Sequence, residues 1–247
     1  MNHHHSDKKV PSPPMVSSAK PTHCVMIAGA SGLVGSHTLD QLLRHAAIDQ
    51  VIALTRFPLK VQHDKLSEVI SPVLDTKDGV KAAITIQLGI IALGTTLKQA
   101  GSKSALELVD YTLVCQVAQR MKEAGVTRLA VVSSYGARPD SMSHYLRCKG
   151  RAEQTISQMG FEQVIFVRPG PLLGKRKEIR SSELWLQRFM TFGRYLMLGE
   201  LKNFIPISAK DVAAVMIDGL LNDQHAPVTC LNSQAMRRVL TKTDKSL

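Results

Sequence analysis

The chain has 247 residues and a mass of 27.1 kDa, long enough to bury a full core without disulfide staples. With 44% hydrophobic and 21% charged residues it is neither collagenous, coiled-coil nor wholly disordered, and no apolar run approaches the ~20 residues of a membrane helix. The net charge of +11 sits mainly in residues 1–20, 168–188 and 236–247, as +2, +4 and +3; such a distribution predicts weak attraction to polyanions, not specific nucleic-acid recognition.

Residues 1–20 are rich in Pro, Ser and Lys without apolar periodicity and are expected to form a flexible leader, in which His3–His5 carry no assigned function. No apolar stretch in this segment resembles a secretory signal. Cys24, Cys115, Cys148 and Cys230 lack CxxC spacing, so neither a zinc site nor a disulfide framework is indicated, and a reducing, cytoplasmic setting is expected.

From His23 the pattern changes. His23–Gly29 is a short apolar run ending in glycine, as a buried parallel strand would be. Leu33–His45 repeats apolar residues at helical spacing, and Val51–Thr55 is a second strand. Leu88–Leu93 predicts another strand. A long amphipathic helix follows, with Leu106, Val109, Leu113, Val117, Met121 and Ala124 on one stripe and Gly125 as its stop. Strand Leu129–Ser133, helix Met142–Met159 and strand Gln163–Val167 complete the series. Strand–helix alternation at this pitch predicts an α/β fold, a Rossmann-type doubly wound parallel sheet. One domain is expected over 21–235, with a small C-terminal substrate lobe drawn mainly from 171–210 and a basic tail at 236–247.

Gly29, Gly32 and Gly35 stand in GASGLVG, directly after a strand and opening a helix. Gly29 permits a tight turn, Gly32 lets the backbone approach a pyrophosphate, and Gly35 lets helix and strand pack closely. The amides of Ser31, Gly32, Leu33, Val34 and Gly35 then face the phosphates at the positive end of the helix dipole. The second strand ends Leu54-Thr55-Arg56 without the carboxylate that usually binds the ribose of NAD. Arg56 is suited to grip a 2′-phosphate, which favours NADP(H) over NAD(H); the plainer alternative is a solvated residue at a strand end.

Tyr145 and Lys149 form YxxxK within a predicted helix, one turn apart on one face. Eleven residues before the tyrosine, a strand ends in Ser133-Ser134, at the edge of a sheet that opens into the cofactor crevice. A phenol is ordinarily a poor base at neutral pH, and a neighbouring ammonium favours its ionised form. Tyr145 is therefore a candidate to exchange a proton with a substrate oxygen, Ser134 to hydrogen-bond that oxygen, and Lys149 to assist and to hold the nicotinamide ribose.

These features together resemble an atypical short-chain dehydrogenase/reductase, most nearly the group of Tat-interactive oxidoreductase-like proteins and their bacterial epimerase/dehydratase-like relatives. The resemblance rests on GASGLVG (29–35), LGTT (93–96), SSYGA (133–137), YLRCKG (145–150), RPGPLLG (168–174), Arg176, Arg180 and IPISAKDVA (205–213). It implies that Leu93, Gly94 and Thr95 line the adenosine–ribose side and that Pro169 and Gly170 sit beside the nicotinamide. It implies that Ser133 contributes to the cofactor site, whereas Ser134 faces the substrate. Asp110 stands where many members carry a catalytic asparagine.

In the lobe, Glu183–Tyr195 is expected to be a helix with Trp185, Leu186, Phe189 and Met190 in the core. Lys175, Arg176, Lys177 and Arg180 form a basic stretch that reads equally as an anion site or as a solvated loop. The leading expectation is an NADP(H)-dependent oxidoreductase acting on a small carbonyl or hydroxyl compound. The alternative is an NADPH-sensing regulator or scaffold without turnover, a reading that Asp110 favours. No metal, no membrane span and no specific nucleic-acid partner are expected, and homodimer and monomer are both left open.

Overall fold

The computed structural model describes residues 23–76, 85–173, 205–222 and 226–243. Seven parallel strands form one sheet: β1 (His23–Ala28), β2 (Ile48–Thr55), β3 (Leu66–Ile70), β4 (Leu88–Ile91), β5 (Arg128–Val132), β6 (Gln163–Arg168) and β9 (Val228–Asn232). Their spatial order is β3-β2-β1-β4-β5-β6-β9. A separate parallel pair joins β7 (Leu172–Leu173) to β8 (Ile207–Ser208). The direction of strand succession reverses between β1 and β4, and such a switch point is where open α/β sheets bind ligands, at the carboxyl ends of the strands.

The helices are α1 (Leu33–Arg44), α2 (Leu97–Ala100), α3 (Lys103–Glu107), α4 (Val114–Glu123), α5 (His144–Ser157), α6 (Ala209–Leu221) and α7 (Ser233–Thr243). A π-helical turn, Leu108–Leu113, joins α3 to α4. Strand residues alternate between two cores because successive side chains point to opposite faces. Val25, Ile27, Ala53 and Ile90 pack under α1, α6 and α7. Met26, Ala28, Leu54 and Ile91 pack under α4 and α5. Central strands covered on both faces have no polar side, which explains the unbroken apolar runs in the sequence.

Among the described residues, the strands and helices expected there occur, with ends displaced by a few residues and the 106–124 helix interrupted by the π turn. The elements not foreseen include β3, the β7–β8 pair, β9, α2, α6 and α7. Edge strand β3 carries Ser67 and Glu68 and has one buried residue, so it lacks the apolar run of its neighbours. Strand β9 alternates weakly. The basic segment from 236 begins inside α7, whose Met236 is fully buried and whose Val239 and Leu240 pack on the core. The expected leader, His3–His5, the Lys175–Arg180 stretch and the helix Glu183–Tyr195 lie outside the described residues, as does most of the 171–210 lobe.

Candidate functional site

Three loops at the carboxyl ends of β1, β4 and β5 converge on the switch point. In the first, Gly29 has φ +88°, and a Cβ there would meet the Ala92 carbonyl oxygen of the neighbouring loop at 2.6 Å. A Cβ on Gly35 would overlap the Gly29 carbonyl. Both positions thus require glycine, one for its turn and its close neighbour, the other for the seating of α1 against the loop. The amide of Gly32 donates to Gly29 O at 3.0 Å, closing the turn.

Gly32 caps α1 without any side-chain hydrogen bond, and the first turn contains no acidic residue. The leading amides of a helix have no acceptor within it, so those around Leu33 and Val34 carry unspent donors and the positive end of the dipole. An uncapped, acid-free helix start behind bare glycine backbone fits a pyrophosphate. The residues expected to bind a cofactor here are contiguous in the turn between β1 and α1.

At the end of β2, Thr55 donates to Phe57 O at 2.7 Å, and Arg56 is exposed, with no hydrogen bond or ion pair to the described residues. It directly follows the strand next to β1, as a group reading the ribose end of a dinucleotide must.

Lys149 occupies the centre. Its side chain is 4% exposed, and Nζ donates to Leu93 O at 3.3 Å and to Val132 O at 3.2 Å. Asp110, fully buried, brings Oδ1 to 2.9 Å from the same nitrogen. That contact is off the hydrogen-bonding direction, because Oδ1 has no hydrogen-bond partner; the attraction is Coulombic. The other carboxylate oxygen accepts from Thr95 N at 2.9 Å. Gly94 lies against both members, with room for a Cβ only 3.2 Å from Asp110 Oδ1 and 3.3 Å from Lys149 Nζ. One ion pair therefore locks the loop 93–95, the end of β5 and helix α5 together. Here the ammonium faces inward and its charge is matched.

The two serines separate. Ser133 is buried and donates to Glu153, which also receives both arms of the Arg168 guanidinium, the Nε contact being 2.9 Å. Glu153 hydrogen bonding holds Arg168 above its ordinary arginine range, so the guanidinium stays charged. Ser134 is half-buried and makes only a 3.5 Å contact to Tyr135 O. Pro169 O accepts from Tyr135 N at 2.9 Å, and Gly170 N donates to the buried Ser233 hydroxyl at 2.9 Å, which sets the Pro169–Gly170 turn beside the serine loop. Tyr145 stands half-buried in the first turn of α5, and its hydroxyl has no partner among the described residues. Among the described residues, Ser134 has only a long contact and Tyr145 no side-chain partner.

The π turn is what the sequence reading lacked. Reading 106–124 as one regular helix leaves an acid beside the apolar stripe; the wider turn at Leu108–Leu113 swings Asp110 inward to Lys149. The available signal was a carboxylate in an otherwise apolar LVDYTL segment.

The fold and this site define a class. The chain matches the NAD(P)H-binding family over residues 29–223, and it belongs to that family. The chain is 33% identical over 202 residues to the mitochondrial protein FMP52 of Candida albicans, covering 78% of this chain and 85% of the relative. Among solved structures, a putative NAD-dependent epimerase/dehydratase from Bacillus halodurans superposes with a TM-score of 0.60 at 20% identity, covering 89% of this chain and 99% of the other. MoeE5 in complex with UDP-glucose and NAD gives 0.61 at 17% identity, with 84% and 75% covered. These structural likenesses are likenesses of fold. The expected cytoplasmic setting does not stand, because the fungal relatives are named mitochondrial. Cysteine usage reports redox conditions and carries no address, which is why it misled. No helix among the described residues is long and apolar enough to cross a membrane.

Proposed function

We propose that the protein is an NADP(H)-dependent oxidoreductase of mitochondria that reduces or oxidises a small carbonyl or hydroxyl compound. The observation that carries the reading is the uncapped start of α1 behind Gly29–Gly35, set at the switch point, with Ser134 following β5 and Tyr145 opening α5. Backbone amides within residues 31–35 that the Gly29–Gly32 turn leaves unspent would hold the pyrophosphate. Arg56 would take the 2′-phosphate, Leu93–Thr95 would flank the adenosine side, and Pro169–Gly170 the nicotinamide. When bound, the nucleotide supplies or accepts a hydride.

In the reducing direction Tyr145 gives its hydroxyl proton to the substrate oxygen as carbonyl carbon gains hydride, and the product is the alcohol. Ser134 hydrogen-bonds the same oxygen and fixes its position. Lys149 braces the Tyr145 turn from within α5, one helical turn away. The mitochondrial setting is supported by the name of the Candida albicans relative.

A second reading, a nucleotide-sensing regulator without turnover, is favoured by one observation: Asp110 and two carbonyls engage the Lys149 ammonium, so it is directed away from a cofactor ribose. The test is calorimetric titration with NADPH and NADH, followed by turnover of an aldehyde and ketone panel. The oxidoreductase reading expects NADPH binding weakened far more than NADH binding by Arg56→Ala, and turnover abolished by Tyr145→Phe. Equal losses refute the 2′-phosphate contact; NADPH binding without turnover on any compound selects the sensor; indifference to both nucleotides sinks both readings.

A further inference from the structure

A second polar cluster lies at the foot of α5, apart from the nucleotide crevice. His144 and Cys148 are one helical turn apart and each precedes a member of the Tyr145–Lys149 pair, so they lie about 100° round the helix from it. Glu107 reaches them from the last residue of α3. The ligand atoms of the three lie within 4.8 Å of one another. Cys148 Sγ is 3.6 Å from His144 Nε2, and Glu107 Oε2 is 3.8 Å from that same nitrogen.

These separations match a coordination polyhedron. Tetrahedral zinc, with Zn–S of ~2.3 Å and Zn–N and Zn–O of ~2.1 Å, sets S···N at about 3.6 Å and N···O at about 3.4 Å. The sulfur–nitrogen pair already has that spacing, and the carboxylate, 3.8 Å from the nitrogen and within 4.8 Å of the sulfur, needs to close on both, by about 0.4 Å on the first and by up to about 1.2 Å on the second. We propose that Glu107, His144 and Cys148 form a binding site for a zinc-type divalent cation, with thiolate, imidazole and carboxylate as ligands and water completing the tetrahedron.

The surroundings fit. Cys148 is 1% exposed and forms the floor, while the His144 and Glu107 side chains are 21% and 34% exposed and form a mouth open to solvent. Arg151 donates to Glu107 Oε1 at 2.6 Å, which turns Oε2 toward the histidine, as outer partners orient ligating carboxylates. Without a cation, the ring contacts are Nε2 to Lys103 O at 3.0 Å and Nδ1 to Arg147 at 3.3 Å, so Nε2 carries the proton. Burial and Glu107 push the Cys148 thiol up, and a cation at this point reverses that balance.

Binding releases one proton, from the thiol, while the ring proton moves from Nε2 to Nδ1. Arg147 gives up its ring contact and keeps Ser141 O at 2.6 Å. Two guanidiniums oppose the ion, so the thiolate and Glu107 supply the attraction, and a hard cation such as Mg²⁺ is excluded by the sulfur and nitrogen donors. The ion would tie the end of α3, immediately before the π turn that holds Asp110, to the first turn of α5, which holds Tyr145.

The test uses the full chain, reduced, titrated with Co²⁺ in place of Zn²⁺. The site predicts thiolate-to-cobalt charge-transfer absorption in the near ultraviolet and tetrahedral d–d bands in the visible, saturating at one ion and bleached by Zn²⁺. Cys148→Ser and His144→Ala should each remove the charge-transfer band. Joint His3→Ala, His4→Ala and His5→Ala should leave it, since imidazoles alone cannot produce it. A wild-type chain without the band overturns the proposal, and so does a band that survives Cys148→Ser. Should that variant not fold, Glu107→Gln on the exposed rim serves instead: a loss of about tenfold or more in Co²⁺ affinity supports the site, and unchanged affinity overturns it.

Discussion

Removing the charge of Asp110 while keeping its shape isolates the ion pair at the centre of the site. Asp110→Asn retains an oxygen for Thr95 N and leaves the Lys149 ammonium 4% exposed, with only the Leu93 and Val132 carbonyls as partners. Breaking one side of a buried pair costs about 3–5 kcal/mol, because the remaining charge has neither water nor counter-ion. With the two carbonyls still present, Asp110→Asn belongs near the lower end, about 3 kcal/mol. Lys149→Met strands a fully buried carboxylate on one amide and belongs near the upper end, about 5 kcal/mol. For a chain of this size each kcal/mol lowers Tm by about 2–4 °C, so drops of roughly 6–20 °C are expected. Combining Asp110→Asn with Lys149→Met removes both charges, and the double variant is expected to lose less than either single one. Urea unfolding at constant m-value measures all three. Additive losses, or single losses below about 1 kcal/mol, would refute the assignment of a coupled buried pair.

Gly35→Ala drives a Cβ into the Gly29 carbonyl, so it should cost about 1–3 kcal/mol and abolish nucleotide binding, whereas Gly101→Ala, in open space at φ +80°, should cost about 1 kcal/mol and leave binding intact; calorimetry with NADPH and thermal melts distinguish them. Burial pushes the Cys24 and Cys115 thiols up to about 11, leaving ~0.1% thiolate at pH 8 against about a quarter for a free thiol, so iodoacetamide should label them about two-hundredfold more slowly in the native than in the unfolded chain. Native labelling at the free-thiol rate, read by mass spectrometry, would contradict this. His45 is held below its ordinary range, first by burial and then by Lys65 and His23, and its neutral Nδ1 accepts from Ala47 N at 3.1 Å. The unfolded chain therefore binds the extra proton first, and stability should fall as pH drops below about 6.5 until the folded value is passed. His45→Gln should flatten that slope in urea titrations; an unchanged slope would exclude His45 as its source.

Strand–helix alternation, the GASGLVG cradle and the Tyr145–Lys149 spacing were all legible in the chain itself. Each is a local pattern: a buried strand must be apolar, a helix must repeat every 3.6 residues, and a turn pressed against another strand must be glycine. Those rules act over a few residues, so the order of the elements and their type follow from them. The division of labour between Ser133 and Ser134 is not local. It depends on Glu153 and Arg168, 20 and 35 residues later, meeting at the end of β5 and committing the first serine.

The same holds for Asp110. Its role depends on a π turn that no periodicity announces and on a lysine 39 residues away brought under the β4 and β5 loops. The Glu107–His144–Cys148 cluster likewise shows half of its spacing on α5 and hides the other half on α3. Apolar periodicity determines which face of a helix turns inward, but only the crossovers of the sheet decide which buried polar groups find each other. In a low-dielectric interior that choice is decisive, since a carboxylate, an ammonium or a thiol is stable there only beside the partner that the fold delivers.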